Sequence, residues 1–229
     1  MTVIALDNRG VGKSSRPDEP YTVDTFVEDT KDLLKYLNIQ EPIHICGFSN
    51  GGAIAQSFAL KYPSLVKSLM LFGTATYMPP NEFEQQFKLL DQFFKNATPE
   101  EIIQIAIRNM FSPSFRKKLK TDKELFELYK NDMGLLAHVK DPPRFQDYVN
   151  QWTAMKGYDT REILHKITQP TLIIVGSRDK DSLRESEFMH QKIPNSTFEV
   201  LEGIGHAFII EAPERTNEIM WNFLKKHLN

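Results

Sequence analysis

Short apolar runs that alternate with helical patterns constrain this chain more than any other feature. Val3-Ile4-Ala5-Leu6, Ile43-His44-Ile45-Cys46, Leu69-Met70-Leu71-Phe72 and Leu172-Ile173-Ile174-Val175 stand out, and Phe198-Glu199-Val200-Leu201 is a weaker, alternating fifth. Continuous apolar runs this short suit parallel strands covered on both faces. Between them, Val23 to Leu37 places Phe26, Val27, Leu33, Leu34 and Leu37 near helical spacing, and Asn50 to Lys61 is rich in Gly and Ala. Asp181 to Lys192 and Pro213 to Leu228 follow the later strands as helices. Strand–helix alternation of this kind predicts an α/β sheet with right-handed crossovers.

The alternation stops from about Ala75 to Ile167. That stretch is charged and helical in pattern, with Phe83, Phe87, Phe93, Phe94, Phe111, Phe115, Phe126 and Phe145 spread through it. Met110 to Phe115 and Pro142-Pro143 look like breaks between helices. The expected organisation is a sheet-forming core from residues 1–74 and 168–229, with a helical insertion over 75–167. A few of the insertion's phenylalanines are expected to face a bound molecule, and most to pack the insertion itself.

Composition narrows the class of partner. The 229 residues carry a net charge of -2 with no basic block, which argues against a nucleic-acid or lipid surface. No apolar run reaches the ~18 residues needed to span a bilayer. The opening "MTVIALDNRG" lacks a charged leader followed by a long apolar core, so no signal peptide is expected. Cys46 is the single cysteine, compatible with a reducing compartment. The expectation is a soluble cytoplasmic protein acting on a small molecule, without membrane or nucleic-acid partners.

Gly10-Val11-Gly12-Lys13-Ser14 invites a comparison with phosphate-cradling loops. The G-x-x-x-x-G-K-[ST] pattern would need glycine at position 7, where this chain has Asp7, a carboxylate that repels phosphate. Such a loop should also open directly into a helix, whereas Arg16-Pro17 and Pro20 favour extended chain. A strand end followed by a tight glycine turn, with Lys13 solvated, fits better.

The stretch "HICGFSNGGAIAQSFA" carries the chemistry. Gly47-Phe48-Ser49-Asn50-Gly51 sits between an apolar run and a helical pattern, the context in which G-x-S-x-G holds a serine on a strained turn with its Oγ clear of the sheet. Gly47 and Gly51 are expected where side chains would press on neighbouring backbone, and Gly52 and Ala53 where the helix packs closely. Serine needs a general base, itself oriented by an acid. Asp179 in "IIVGSRDKDS" lies just past one strand, and His206 in "VLEGIGHAFI" just past the next, giving the chain order Ser, Asp, His. Asp181 is the rival acid. Cys46 is expected to be a small buried packing residue, and His44 a packed or capped one. His138, His165, His190 and His227 are expected on surface or insertion helices, and no cluster has metal-ligand spacing.

With these residues in view, the sequence resembles the α/β-hydrolase superfamily, in its branch with a helical cap. "DNRGVGKSSRP" looks like the family's D-x-R-G-x-G-x-S loop, "GSRD" like its acid-bearing G-x-x-D, and "GIGHAFIIEAPE" like its G-x-x-H segment with a following proline. The resemblance implies a mostly parallel sheet with an inserted cap, a serine-hydrolase triad of Ser49, Asp179 and His206, and the Asn50 backbone N–H as an oxyanion donor. It implies no cofactor, and an ester or lactone substrate of largely apolar character. A C–C hydrolase, a proline-type aminopeptidase and a cofactor-free perhydrolase use the same triad and stay open, as do a ligand binder of this fold and an inactive form. Serine at position 49 disfavours the aspartate-nucleophile dehalogenases and epoxide hydrolases.

The family's earlier strands, and the His-Gly loop that supplies a second oxyanion donor, have no counterpart ahead of Val3. The expectation is therefore a shortened form of a longer enzyme in which Val3–Leu6 and Ile43–Cys46 flank a gap; the alternative is a rearranged sheet in which those two strands pair directly.

Overall fold

Four of the five apolar runs become strands in the computed structural model, which describes residues 2–79, 84, 87–88, 96–132 and 144–228. They are β1 (Ile43–Phe48), β2 (Val66–Phe72), β3 (Thr171–Gly176) and β4 (Ser196–Leu201). All neighbours are parallel, in the order β1-β2-β3-β4. Cys46 lies opposite Met70, Met70 opposite Leu172, and Ile173 opposite Phe198. The central β3 is buried along its whole length, as its unbroken apolar run requires.

Strand periodicity divides the core into two faces. Leu69, Leu71 and Ile173 pack with residues of α1 (Val23–Tyr36), α2 (Asn50–Lys61) and α7 (Lys180–Lys192). Met70, Phe72, Leu172 and Ile174 point the other way, against Phe208 of the short α8 (Phe208–Glu211) and Ile219, Phe223 and Leu224 of α9 (Pro213–Lys225). Fully burying each such aliphatic side chain is worth about 1.5–3 kcal/mol, so the sheet is held from both sides.

Helix α1 shows how local sequence sets an element's ends. Thr22 caps it by accepting from Thr25 N–H at 3.1 Å, and Thr25 Oγ1 accepts from Thr22 N–H at 3.1 Å in return. Val23, Phe26, Val27, Thr30 and Leu34 form its buried stripe. Its far end closes on Asn38, whose φ of 55° permits the bonds Ile39 N–H to Leu34 O and Asn38 N–H to Lys35 O.

Between β2 and β3 lie α3 (Pro99–Met110), α4 (Pro113–Thr121), α5 (Lys123–Asp132) and α6 (Phe145–Thr153). Ile103, Ile107, Phe111, Phe115, Leu119 and Tyr129 bury a separate cluster, with Phe111 and Phe115 stacked at 4.8 Å. Tyr77 and Asp159 form an isolated antiparallel bridge across the base of this stretch. Phe83, Phe93, Phe94, His138 and Pro142-Pro143 lie outside the described residues, as does the side chain of Phe145.

Two expectations are corrected. Val3–Leu6 forms no strand and no ladder with β1; Val3, Ile4 and Leu6 are exposed. An apolar run becomes a strand only where a neighbour takes its backbone hydrogen bonds, and among the described residues none lies beside this one. Cys46 is exposed, not buried. β1 is an outer strand of the sheet, and Cys46 alternates away from Ile43 and Ile45, which pack on the α1–α2 side.

The glycine turn is closed by its own carboxylate. Asp7 accepts from Lys13 N–H at 2.9 Å, while Ser14 Oγ donates to Asp7 O at 2.6 Å. The N–H that a phosphate would need is thus taken, and Lys13 is exposed. Arg9 anchors the turn to α1 through two hydrogen bonds to Asp29, at 2.6 and 2.5 Å.

These assignments predict opposite outcomes for two truncations of apolar side chains. Ile173→Ala should cost about 2–5 kcal/mol in urea denaturation, as a fully buried aliphatic residue does. Val3→Ala, at a residue 79% exposed, should stay within about 0.5 kcal/mol of the parent.

Candidate active site

Ser49 stands where β1 ends and α2 begins, with φ 52° and ψ -121°. A positive φ in a non-glycine residue costs about 1–3 kcal/mol and persists only where the surroundings dictate it. Here Ser49 N–H donates to Phe72 O at 2.8 Å and Ser49 O accepts from Gly52 N–H at 2.9 Å. Although it occupies the N-cap position of α2, its side chain makes no capping hydrogen bond, so its Oγ is not spent on the helix. Asn50, the first residue of α2, has an N–H of the kind that a helix leaves without an intrahelical partner.

The turn requires glycine at position 47, where an added Cβ would lie 2.1 Å from Gly51 O. A Cβ at Gly52 would lie 2.4 Å from Thr74 Cβ, which is how α2 approaches the chain leaving β2. Gly51 departs from expectation: a Cβ there would meet open space. The crowding falls on one side of the turn only, because Gly51 supplies backbone to the contact and its own Cα faces outward.

Asp179 caps α7 and lies three residues beyond β3; His206 follows β4. Their loops are pressed together. Arg178 N–H donates to Ile204 O at 2.9 Å, and a Cβ on Gly176 would lie 2.2 Å from Gly205 O. His206 Nδ1 and Asp179 Oδ2 are 2.5 Å apart, with side chains 17% and 13% exposed. With Nδ1–H donating to the carboxylate, Nε2 carries the lone pair. The imidazole lies on Phe48, the residue before Ser49, at 4.9 Å between ring centres, and over Gly73 at the end of β2. Asp179 and His206, from two different loops, thus meet beyond the ends of β3 and β4, with the imidazole packed on the neighbour of Ser49.

The rival residues fall elsewhere. Asp181 is exposed and pairs with Arg184 at 2.5 Å. His44 sits at the opposite end of β1, its Nδ1 2.7 Å from Ser68 Oγ, and burial lowers its pKa. His165 and His190 are exposed, and His227 packs on Phe223 at the end of α9. No group of three or more metal-ligating side chains occurs among the described residues. A groove of about 760 Å³ between α3, α4 and α5 includes none of the three residues. Gly73 and Phe48, which place the imidazole, carried no mark in the sequence beyond a glycine at a strand end and an aromatic inside G-x-S-x-G.

Burial pushes the Asp179 carboxyl upward. The hydrogen bond and charge of His206, with hydrogen bonds from Ser182, outweigh it and hold the group below its ordinary value. A carboxyl depressed on folding contributes stability above its unfolded pKa of about 3.9, and loses it as pH falls through the lower folded value. In urea denaturation from pH 6 downward, the stability gap between the parent and Asp179→Asn should therefore narrow only below about pH 4. Gly47→Ala should cost about 2–3 kcal/mol at every pH, because the clash involves backbone and no titrating group.

Comparison with known proteins follows this geometry. The model of the alpha/beta hydrolase fold family matches residues 1–213. The poly(3-hydroxyalkanoate) depolymerase of Ectopseudomonas oleovorans is 31% identical over 229 residues, covering 99% of this chain and 76% of the relative. 3-Oxoadipate enol-lactonase 2 of Acinetobacter baylyi is 28% identical, covering 98% of this chain and 79% of the relative. A thermophilic esterase from Thermogutta terrifontis superposes with a TM-score of 0.81 at 26% identity, covering 96% of this chain and 79% of its own. No helix among the described residues is long and apolar enough to cross a membrane. A parallel sheet with helices on both faces, a strained serine turn and a family match over most of the chain lead to one conclusion: the chain belongs to the α/β-hydrolase family and is an α/β-hydrolase enzyme.

Proposed function

We propose that the chain is a serine hydrolase that cleaves an ester or lactone of a small, largely apolar substrate through an acyl-enzyme. The observation that carries this reading is the 2.5 Å Asp179–His206 contact beside the strained Ser49 turn. Ser49 Oγ attacks the carbonyl carbon as His206 Nε2 takes its proton, and the carbonyl electrons move onto oxygen. Asp179 holds the imidazole in the tautomer that presents Nε2 and stabilises the imidazolium that forms. The Asn50 N–H, at the start of α2, faces the developing oxyanion, where the helix dipole also favours negative charge.

Collapse of the tetrahedral intermediate expels the alkoxide, which leaves with the proton from His206. In a lactone it stays attached to the acyl group. Water then attacks the acyl-enzyme, giving its proton to His206, and Ser49 is released with the carboxylic acid product. The helices between residues 75 and 167 act as a cap that limits water and selects shape. Phe48 beside the imidazole supplies an apolar wall, backed by the buried Phe208 at 5.9 Å. The names of the relatives, a lactonase and an esterase among them, support the ester and lactone class.

The test is a panel of p-nitrophenyl esters and small lactones, run with fluorophosphonate labelling. Ser49→Ala should lose the label and at least about 10⁴-fold in kcat/KM. Asp179→Asn should lose a similar factor, because the asparagine favours the wrong imidazole tautomer. Undiminished hydrolysis by Ser49→Ala, or a folded parent that neither labels nor turns over the panel, would overturn the reading.

A further inference from the structure

The short segment bearing His206 is tied down on both sides of the imidazole. On one side, Ala207 N–H donates to Met110 O at 2.8 Å. On the other, Gly205 N–H donates to Glu211 Oε2 at 3.1 Å. Glu211 does more than close its own loop. Its Oε2 also accepts from Ser112 N–H at 3.1 Å, and its Oε1 accepts from the Ser112 hydroxyl. Ser112 is 1% exposed and forms the corner between α3 and α4, where its Oγ caps α4 by accepting from Phe115 N–H. The fit is close: a Cβ on Gly205 would lie 2.7 Å from both Met110 O and Ser112 N. One carboxylate thus gathers three donors, two from Ser112 at the α3–α4 corner and one from the residue next to His206.

We propose that Glu211 is a positioning residue for the imidazole, joining the α3–α4 corner to the His206 segment so that the place of the base depends on where those helices sit. The inference rests on reading Ser49, Asp179 and His206 as the triad. A carboxylate suits the task because one oxygen can accept from two backbone N–H groups while the other takes the hydroxyl. Without it, Gly205 and the buried Ser112 lose their acceptor, and the segment keeps only its backbone bonds at Ile204 and Ala207 beside the Asp179 contact. An imidazole displaced by a fraction of an ångström still leaves substrate binding intact while the proton transfers fail. The loss therefore falls on kcat and spares KM.

The experiment compares Glu211→Ala, Glu211→Gln and Ser112→Ala with the parent in ester kinetics, thermal melting and the low-field proton NMR signal of His206 Nδ1–H. Glu211→Ala should lower kcat about 10- to 100-fold, with KM within about 2-fold, and should shift or broaden the Nδ1–H signal. Glu211→Gln keeps an acceptor oxygen for Gly205 N–H and should recover most of kcat and the signal. Ser112→Ala, which keeps its backbone N–H, should sit between Gln and the parent. A folded Glu211→Ala with parental kcat and an unmoved signal overturns the proposal, as does equal impairment of Ala and Gln with the signal unchanged. If Glu211→Ala does not fold, Glu211→Asp takes its place, because the shorter side chain withdraws the acceptor from Gly205 N–H; parental kcat with an unmoved signal in that variant overturns the proposal. A parent that fails to label with fluorophosphonate would instead sink the triad reading, while the NMR comparison would still report whether Glu211 holds the imidazole.

Discussion

The close turn of α2 over the end of β1 is the constraint on which the site depends. It works because Gly47 presents no Cβ to the Gly51 carbonyl, leaving Ser49 a backbone conformation that a non-glycine residue adopts only under compulsion. The energy for that strain comes from the sheet. β3 is buried throughout, β2 and β3 pack aliphatic side chains on both faces, and the hydrogen bond from Ser49 N–H to Phe72 O makes the turn an extension of β2's edge. A sheet secured in this way can hold one residue out of its preferred geometry.

The second constraint is electrostatic. A buried carboxylate is costly unless its oxygens find donors, and Asp179 finds them in His206 and Ser182. Ser182 belongs to α7, which Asp179 itself caps, so the same carboxylate starts a helix and orients a base. The arrangement joins the chemistry to the fold: the bond that fixes the imidazole also uses a group the helix end requires. Glu211 repeats the economy on the other side of His206, closing its own loop while reaching the α3–α4 corner.

Much of this was legible in the residues. The continuous apolar runs of β2 and β3 and the alternation in β4 led to their strands, and the stripe of Phe26, Val27 and Leu34 led to α1. Ser49, Asp179 and His206 could be named as candidates because G-x-S-x-G, an acid past one strand and a glycine-framed histidine past the next are local patterns; of these, the contact of Asp179 with His206 is seen in the structure. The same logic failed at Val3–Leu6, whose apolar run reads like β1 but finds no strand beside it among the described residues. It failed at Cys46, whose face of β1 is left open at the edge of the sheet, and at Gly51, whose Cα faces outward.

The sequence by itself determined the alternation of strand and helix, the helix caps and the order of the three candidate residues. Each of these depends on neighbours a few positions away, where spacing translates directly into geometry. Only the tertiary structure decided which runs find a partner strand, which side of β1 stays open, and that Ser112 and Glu211, 99 positions apart, meet beside His206. Those outcomes depend on contacts between distant segments, and no local pattern encodes the distance between two atoms that come together only when the whole sheet has formed.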